Sequence, residues 1–201
     1  MKKMLFSALV LSAAGLLAFT TINELPLGAD MPKADRKMKD ALSGKEISLK
    51  DVKGKNGLLV MFSCNTCPYV IKNQSRTKEI AEYASKNNVG VILINSNEKQ
   101  RNNEDSYAAM QEYANSQGYK WAYVVDTNSE LADAFGANRT PETFLFNKEG
   151  KLVYHGAIDD NPTDASAVNR KHLHEAINEM VGGKDVSVKT SRSVGCSIKR
   201  L

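Results

Sequence analysis

The sequence predicts an α/β fold in which a central mixed β-sheet is flanked by helices. Two continuous apolar runs of strand length occur at 57–63 and 89–95, and helical patterns follow them. Two further strand patterns enclose an Asn-Lys-Glu-Gly turn at 147–150, which indicates an antiparallel hairpin. Alternating strands and helices followed by a hairpin favour a mixed sheet. With 201 residues, 42% of them apolar, the chain can bury a core of its own as one domain.

The predicted elements follow from these patterns in chain order. Each strand is a short apolar or β-branched run, and each helix has apolar residues at helical spacing or a capping residue at its end. They are a strand in GKEISL (44–49), a buried strand at 57–63, a helix at 68–86, a buried strand at 89–95, a helix at 103–118 closed by Gly118, a strand at 121–126, a helix at 129–136 capped by Ser129 and ended by Gly136, the hairpin at 142–158, and a final helix at 168–183.

The first residues have the order of a secretory signal. Lys2 and Lys3 precede an apolar stretch, 4–22, and polar residues and Pro26 follow. Residues 1–22 are therefore predicted to be a signal peptide or, because an apolar stretch of this length approaches bilayer thickness, an uncleaved membrane anchor. A signal peptide and an uncleaved anchor both indicate an exported protein, periplasmic or extracytoplasmic. Residues 23–42 are predicted to be a linker.

The charge balance excludes a nucleic-acid partner. Without Lys2 and Lys3 the chain has 25 basic and 23 acidic residues, so no strongly basic surface is expected.

Two of the three cysteines stand in FSCNTCPYV (62–70), between a predicted strand and a predicted helix. This arrangement predicts that Cys64 lies at the helix N-terminus, where unpaired N–H groups and the helix dipole favour a thiolate. Cys64 is then the nucleophile. Cys67, predicted one turn inside the helix and more buried, would resolve the mixed disulfide. The alternative is a structural disulfide or an inert pair.

A second candidate segment is Arg139-Thr140-Pro141, directly before the hairpin. A proline at this junction favours a cis peptide bond. We expect this bend to leave the Thr140 backbone free to pair with an extended substrate, which makes Thr140 and Pro141 predicted substrate-binding residues.

Four segments, CNTCPYV, DTNSELADAFG, TPETFLFNKEGKLVYHG and VGCSIK, resemble the thioredoxin-like superfamily. The likeness is to exported redoxin proteins of the thiol-disulfide oxidoreductase and peroxiredoxin-like type, and it covers residues 43–183. The resemblance implies a thioredoxin fold, a redox-active Cys64–Cys67 disulfide and Pro141 as the cis-proline beside it. It also implies protein thiol or disulfide substrates, a redox partner and no cofactor.

The sequence departs from the thioredoxin pattern around the cysteines. Ser63 stands where thioredoxin has tryptophan, and Leu58 stands where it has a buried acid that moves protons. The general base is therefore unassigned; Glu142 is a candidate, against a simple exposed acid at a strand start. No cation lies between the cysteines, so a reductant is predicted.

Other functions stay open. A copper delivery or assembly factor is one, because Pro68 follows Cys67 and His155 comes later, although the cysteine spacing is one residue short. No metal site is predicted, since His172 and His174 are two apart on a helix and face different directions. A thiol peroxidase is another possible function, but the motif that such peroxidases have upstream of the reactive cysteine is missing from this sequence. A non-catalytic binding module is the last.

The third cysteine, Cys196, lies in the C-terminal tail, 184–201, whose basic residues are predicted to be solvated. Three interpretations are open. Cys196 is a resolving or regulatory thiol that pairs with Cys64 or Cys67, it forms an intermolecular disulfide, or it is a plain buried cysteine that holds the tail against the domain.

Overall fold

The computed structural model describes residues 24–201, which form a mixed sheet with helices on its faces. The predicted signal or anchor segment lies outside the described residues. The strands are β1 Met38–Lys39, β2 Glu46–Ile47, β3 Gly57–Phe62, β4 Val89–Asn95, β5 Ala122–Val125, β6 Arg139–Thr140, β7 Glu142–Asn147, β8 Leu152–Gly156 and β9 Cys196–Ser197. The helices are α1 Leu49–Val52, α2 Pro68–Lys72, α3 Gln74–Lys86, α4 Tyr107–Gln117, α5 Glu130–Phe135 and α6 His172–Val181.

The central sheet has the strand order β5-β4-β3-β7-β8. Strands β4 and β5 pair in parallel, whereas β7 pairs antiparallel with both β3 and β8. The Ser63 N–H donates to Ile94 O where β3 and β4 end side by side. This arrangement confirms the predicted mixed sheet. The end of β3, the start of β7 and the end of β4 lie side by side at the same end of the sheet.

The core lies on both faces of this sheet. All six residues of β3 are buried, and they alternate between two apolar clusters. Leu59 and Met61 contribute to one cluster, while Leu58 and Phe62 contribute to the other. A strand covered on both faces needs a continuous apolar run, which is why this strand was predictable from its sequence.

Three predicted helices have different bounds in the structure. The helix expected over 68–86 is broken at Asn73, which separates α2 from α3. The helix expected from residue 103 begins only after Ser106, whose side chain accepts the Ala109 N–H. The last helix begins at His172, because backbone hydrogen bonds to Asp160 hold the preceding residues in a loop.

The predicted Ser129 cap of α5 is wrong. Ser129 has a left-handed φ of 54° and its hydroxyl donates to Ser96 O, so it makes no cap hydrogen bond. The Asp126 carboxylate accepts the Leu131 and Ala132 N–H groups instead, at 2.9 and 3.0 Å. The prediction that Gly136 ends this helix is confirmed by its left-handed φ of 67°.

Both ends of the described chain pack on the sheet. The Leu25 N–H donates to Phe135 O, and the Ala41 N–H donates to Tyr123 O at 2.8 Å, so residues 24–42 are bonded to the domain along their length. Among residues 24–201, no helix is both long and apolar enough to cross a membrane.

The prediction that the basic residues of the tail are solvated holds for Lys184, Lys189 and Arg192, which are exposed, but the end of the tail packs on the domain. Ile198 is 6% exposed within the core, Arg200 forms an ion pair with Asp133, and the Lys199 N–H donates to the Asn97 side chain. The tail first runs beside β8, where the Ser191 N–H donates to His155 O, and then reaches β6. It therefore forms a structured part of the domain.

Candidate functional site

The paired cysteines lie in the loop that follows β3. Helix α2 begins at Pro68, and Cys67 is its N-cap residue, with extended backbone angles. Cys64 lies three residues earlier, outside the helix. The prediction that Cys64 occupies the helix N-terminus and that Cys67 lies one turn inside is therefore wrong. Pro68 decides this, because proline is favoured at the first helical position and its ring fixes where the helix starts.

Both cysteine sulfurs lie against Thr140. Cys64 Sγ is 3.4 Å from Thr140 Oγ1, and Cys67 Sγ is 3.3 Å from Thr140 O. The two thiols are free, and the residues are only 3% and 4% exposed. The Thr140–Pro141 peptide bond is cis, as the sequence predicted. The structure thus brings these four predicted site residues together, and the fifth, Cys196, lies beside them.

Of the two thiols, Cys67 is the one whose pKa is lowered, so the thiolate form is favoured at this sulfur. A hydrogen bond from the Cys64 thiol lowers the pKa of Cys67 to about 4, and the Cys196 thiol and the Val70 and Cys196 N–H groups act in the same direction. Burial and the Thr140 carbonyl favour a protonated Cys67, but the groups that favour the thiolate outweigh them, so the pKa is lowered.

The same hydrogen bond acts in the opposite direction on the other thiol. It raises the pKa of Cys64, because the proton that Cys64 donates is held between the sulfurs. Burial and the nearby Asp105 carboxylate raise that pKa further. Cys64 is therefore the protonated partner in the reduced pair.

A buried carboxylate that the sequence analysis missed supports the cysteine loop. Asp105 is fully buried, and it accepts the Asn65 N–H at 3.0 Å and the side-chain amides of Asn95 and Asn97 at 2.7 and 2.8 Å. It lies 40 residues from Asn65 along the chain. An acid directly before the Ser106 helix cap was the only local signal, and such an acid is common at helix starts.

The Asn65 side chain is held as firmly as its backbone. Tyr123 Oη donates to Asn65 Oδ1 at 2.8 Å, and Asn65 Nδ2 donates to Glu104 O. Buried polar groups that are fully hydrogen-bonded fix a single arrangement. Asn65, one of the two residues between the cysteines, is therefore part of the rigid framework of the loop.

Glu142 is buried, not exposed as the simpler interpretation expected. Its Oε2 accepts the Asn138 and Arg139 N–H groups at 2.8 and 3.0 Å, and its Oε1 lies 2.7 Å from His155 Nε2. The carboxylate thus fixes the loop that leads to Thr140. These contacts assign Glu142 a positioning role, and its candidacy as general base finds no support in them.

The backbone of Thr140 is already paired, contrary to expectation. Strand β9 pairs antiparallel with β6, and Cys196 lies opposite Thr140. Cys196 is half-buried and packs against the cluster formed by Cys64, Cys67 and Val70. The position that the sequence analysis assigned to an external substrate is occupied by the protein's own tail.

The histidine that suggested metal delivery has other partners. His155 stacks on Phe144 with ring centroids 4.1 Å apart, and its Nε2 is bonded to Glu142. Within the described residues, no group of three or more His, Cys, Asp and Glu side chains is arranged to hold a metal ion.

Comparison with known proteins identifies a family and several relatives that this chain resembles. The Redoxin family model matches residues 26–171. Among curated proteins, the thiol-disulfide oxidoreductase ResA of Bacillus subtilis (strain 168) is 30% identical over 117 residues, which cover 55% of this chain and 58% of that protein. The chain spans about three fifths of the length of the curated relatives it matches first.

Two solved structures are similar over nearly the whole chain. An uncharacterized conserved protein from Geobacillus kaustophilus has a TM-score of 0.82 and 32% identity, covering 89% of this chain and 94% of its own. A hypothetical protein from Sinorhizobium meliloti 1021 has a TM-score of 0.80 and 33% identity, covering 89% and 97%. The predicted thioredoxin-like fold is confirmed.

Proposed function

This chain belongs to the Redoxin family, and from that premise we propose that it is a thiol-disulfide oxidoreductase whose redox centre is the Cys64–Cys67 pair. The observation that carries the proposal is the pair itself: two free, buried thiols that both contact Thr140, next to the cis peptide bond before Pro141, with the pKa of Cys67 lowered. Thiolates are the nucleophiles of disulfide exchange.

The proposed chemistry is the exchange of one disulfide with a protein substrate. In the reducing direction, a thiolate of the pair attacks a substrate disulfide to form a mixed disulfide, and the other thiol displaces the reduced substrate. The pair ends as a Cys64–Cys67 disulfide, and the substrate gains two electrons and two protons. Because the pKa of Cys67 is the one that is lowered, we propose that Cys67, not Cys64 as the sequence suggested, is the reactive thiolate of the pair.

We propose that the pair works as a reductant. Two features act on the potential in opposite directions: the lowered pKa of Cys67 stabilises the reduced form and raises the potential, whereas burial and the Asp105 carboxylate disfavour a thiolate on Cys64 and lower it, and we propose that the second effect prevails. A nearby negative charge disfavours the anionic, reduced form. Potentials in this fold range from about −270 mV for a reductant to about −120 mV for a strong oxidant, so we expect a value in the lower half.

The proposed place of action is outside the cytoplasm. The charged and apolar order of residues 1–22 supports export, and disulfide exchange with exported proteins agrees with an oxidising compartment. The substrates would be protein thiols and disulfides, and an unidentified redox partner would restore the pair.

The test is titration of the chain against glutathione redox buffers, with alkylation and mass spectrometry to locate the disulfide. We expect a Cys64–Cys67 disulfide with a potential below about −150 mV. Cys64→Ser and Cys67→Ser should each abolish it. A pair that stays reduced in all buffers would refute the proposed activity, and a potential above that limit would refute the reductant role.

The same reduced sample distinguishes the alternative functions. Stoichiometric copper or zinc measured by elemental mass spectrometry would favour metal delivery. Rapid consumption of hydrogen peroxide with formation of the disulfide would favour a thiol peroxidase. We expect neither.

A further inference from the structure

Strand β9 occupies the position that an extended substrate would take. Its Cys196 is opposite Thr140, whose carbonyl also contacts Cys67 Sγ at 3.3 Å. The tail therefore presents a cysteine beside the redox pair in the same manner as a bound substrate strand.

The close approach of this strand depends on a glycine. A Cβ atom at Gly195 would lie 2.1 Å from Thr140 O and 2.7 Å from Thr140 C. Both are backbone atoms, so neither can rotate away. Any larger residue at position 195 would push β9 away from the pair.

The tail is held in this position by contacts on both sides of Cys196. The Ile198 N–H donates to Asn138 O, and the Lys199 N–H donates to Asn97 Oδ1 at 2.9 Å. Upstream, Ser191 Oγ accepts the Ala157 N–H. Cys196 is thus a fixed neighbour of the pair rather than a thiol on a flexible arm.

The three cysteine residues differ in exposure. Cys64 and Cys67 are almost completely buried, whereas Cys196 is partly exposed. Cys64, Cys67 and Val70 form one buried cluster, and Cys196 packs against it. An external protein thiol therefore reaches Cys196 more easily than it reaches the pair.

We propose that Cys196 is a third redox-active residue, which transfers the disulfide between the buried Cys64–Cys67 pair and external protein thiols. The proposal rests on the proposed function. It extends that function by identifying the atom at which a partner enters.

The transfer consists of balanced thiol-disulfide exchanges. In the oxidised protein, the Cys196 thiolate attacks Cys67 Sγ, the bond between Cys64 and Cys67 breaks, and the Cys64 thiolate takes up the proton that Cys196 released. A Cys67–Cys196 disulfide results. A thiolate of an external protein dithiol then attacks Cys196 Sγ, and Cys67 leaves as a thiolate.

The second thiol of the external protein displaces Cys196. The external dithiol has then become a disulfide, and the chain has gained two electrons and two protons. The reverse sequence reduces a substrate disulfide. The lowered pKa of Cys67 supports this order, because a thiol with a low pKa is the better leaving group.

The first experiment traps the intermediate. Cys64→Ser protein is oxidised mildly with oxidised glutathione at low protein concentration, and its peptides are analysed by mass spectrometry. We expect a Cys67–Cys196 disulfide within one chain, while Cys67→Ser protein should give little Cys64–Cys196 disulfide. Only glutathione adducts or only intermolecular disulfides in Cys64→Ser would overturn the proposal.

The second experiment measures turnover with insulin as the disulfide substrate and reduced glutathione as the donor. Cys196→Ser should lower the rate roughly tenfold or more, because a thiol held against its target has a high effective concentration. Gly195→Ala should lower it similarly although all three thiols are present. Ser197→Ala, an exposed change in the same strand, is the matched control and should leave the rate unchanged.

The outcomes separate the two proposals. If the wild-type chain reduces insulin and Cys196→Ser does so equally fast or faster, the transfer role is refuted and the proposed function stands. Unchanged exchange with a lower melting temperature in Cys196→Ser would identify a structural cysteine. If the wild-type chain forms no Cys64–Cys67 disulfide, both proposals fail.

Discussion

At the scale of single residues, the division of charge between Cys64 and Cys67 depends on where each sulfur lies relative to its donors. The backbone N–H of Val70 and the N–H and thiol of Cys196 in the tail lower the pKa of Cys67, although the Cys67 side chain forms no cap hydrogen bond with its helix. Cys64 has the Thr140 hydroxyl in its favour but the Asp105 carboxylate against it. Two cysteines of the same motif therefore acquire opposite shifts in pKa.

This division predicts a pH dependence of stability for the reduced protein. The pKa of Cys67 is lowered from 9.0 to about 4 in the folded chain. A group with a lowered folded pKa contributes stability above its unfolded pKa and loses that contribution as the pH falls through its folded pKa. The free energy of unfolding, relative to Cys67→Ser, should therefore rise between pH 4 and 9.

The measurement is chemical denaturation across this pH range, together with titration of the ultraviolet absorbance of the thiolate. Cys64→Ser should move the Cys67 titration to higher pH, because the main donor is lost. A thiolate that appears only near pH 9 in the wild-type protein would contradict the assignment.

At the scale of secondary-structure elements, the ends of helices depend on side chains from outside the expected segment. Asp126, at the end of β5, caps α5 through the Leu131 and Ala132 N–H groups, and it also accepts the Ser96 hydroxyl at 2.8 Å. Burial raises the pKa of Asp126. The carboxylate thus connects β5 with α5 and with Ser96, the residue after β4.

Asp126→Ala should therefore destabilise the fold by about 2 kcal/mol, the upper range for loss of a helix cap, because buried donors lose their acceptor. Asp126→Asn is the matched control, since its side-chain oxygen can still accept one N–H, and it should lose less. Urea denaturation monitored by circular dichroism measures both. Equal stability of Asp126→Ala and the wild-type protein would show that the cap contributes nothing.

At the scale of the whole molecule, a buried ion pair attaches the long loop after β8 to α3. Arg76 Nη1 lies 2.7 Å from Asp159 Oδ2 and donates to Asn161 O at 2.6 Å. Both side chains are nearly buried. The loop contains only the short 3-10 helix Ala165–Ala167 before α6 begins, and the ion pair, together with the hydrogen bond from Asn73 Nδ2 to Pro162 O, attaches it to the α2–α3 region.

Asp159→Ala should cost about 3–5 kcal/mol of stability, because it leaves the Arg76 charge buried without its partner. Glu79 is on the same helix as Arg76 and forms an exposed ion pair with Lys171. Glu79→Ala breaks this exposed pair and should cost less than about 1 kcal/mol. Thermal and urea denaturation of the two variants provide the comparison. Similar losses for both would show that burial does not distinguish these pairs.

The sequence by itself determined the elements whose patterns are local. The apolar runs of β3 and β4, the hairpin of β7 and β8, and the left-handed glycines at 118 and 136 depend on neighbours along the chain. The cysteine motif and the cis bond before Pro141 belong to the same class. Burial on both faces of a strand requires a continuous apolar run, and a fixed backbone angle requires a particular residue type, so both can be recognised in a short segment of sequence.

Only the tertiary structure decided which of these segments meet. Asp105 reaches the cysteine loop from 40 residues away, and the tail places Cys196 opposite Thr140. Local sequence does not record such contacts, because a buried carboxylate or a two-residue strand is stabilised by distant groups rather than by its neighbours. The charge on Cys67 was unpredictable for the same reason, since its donors converge on one sulfur from the loop, the helix and the tail.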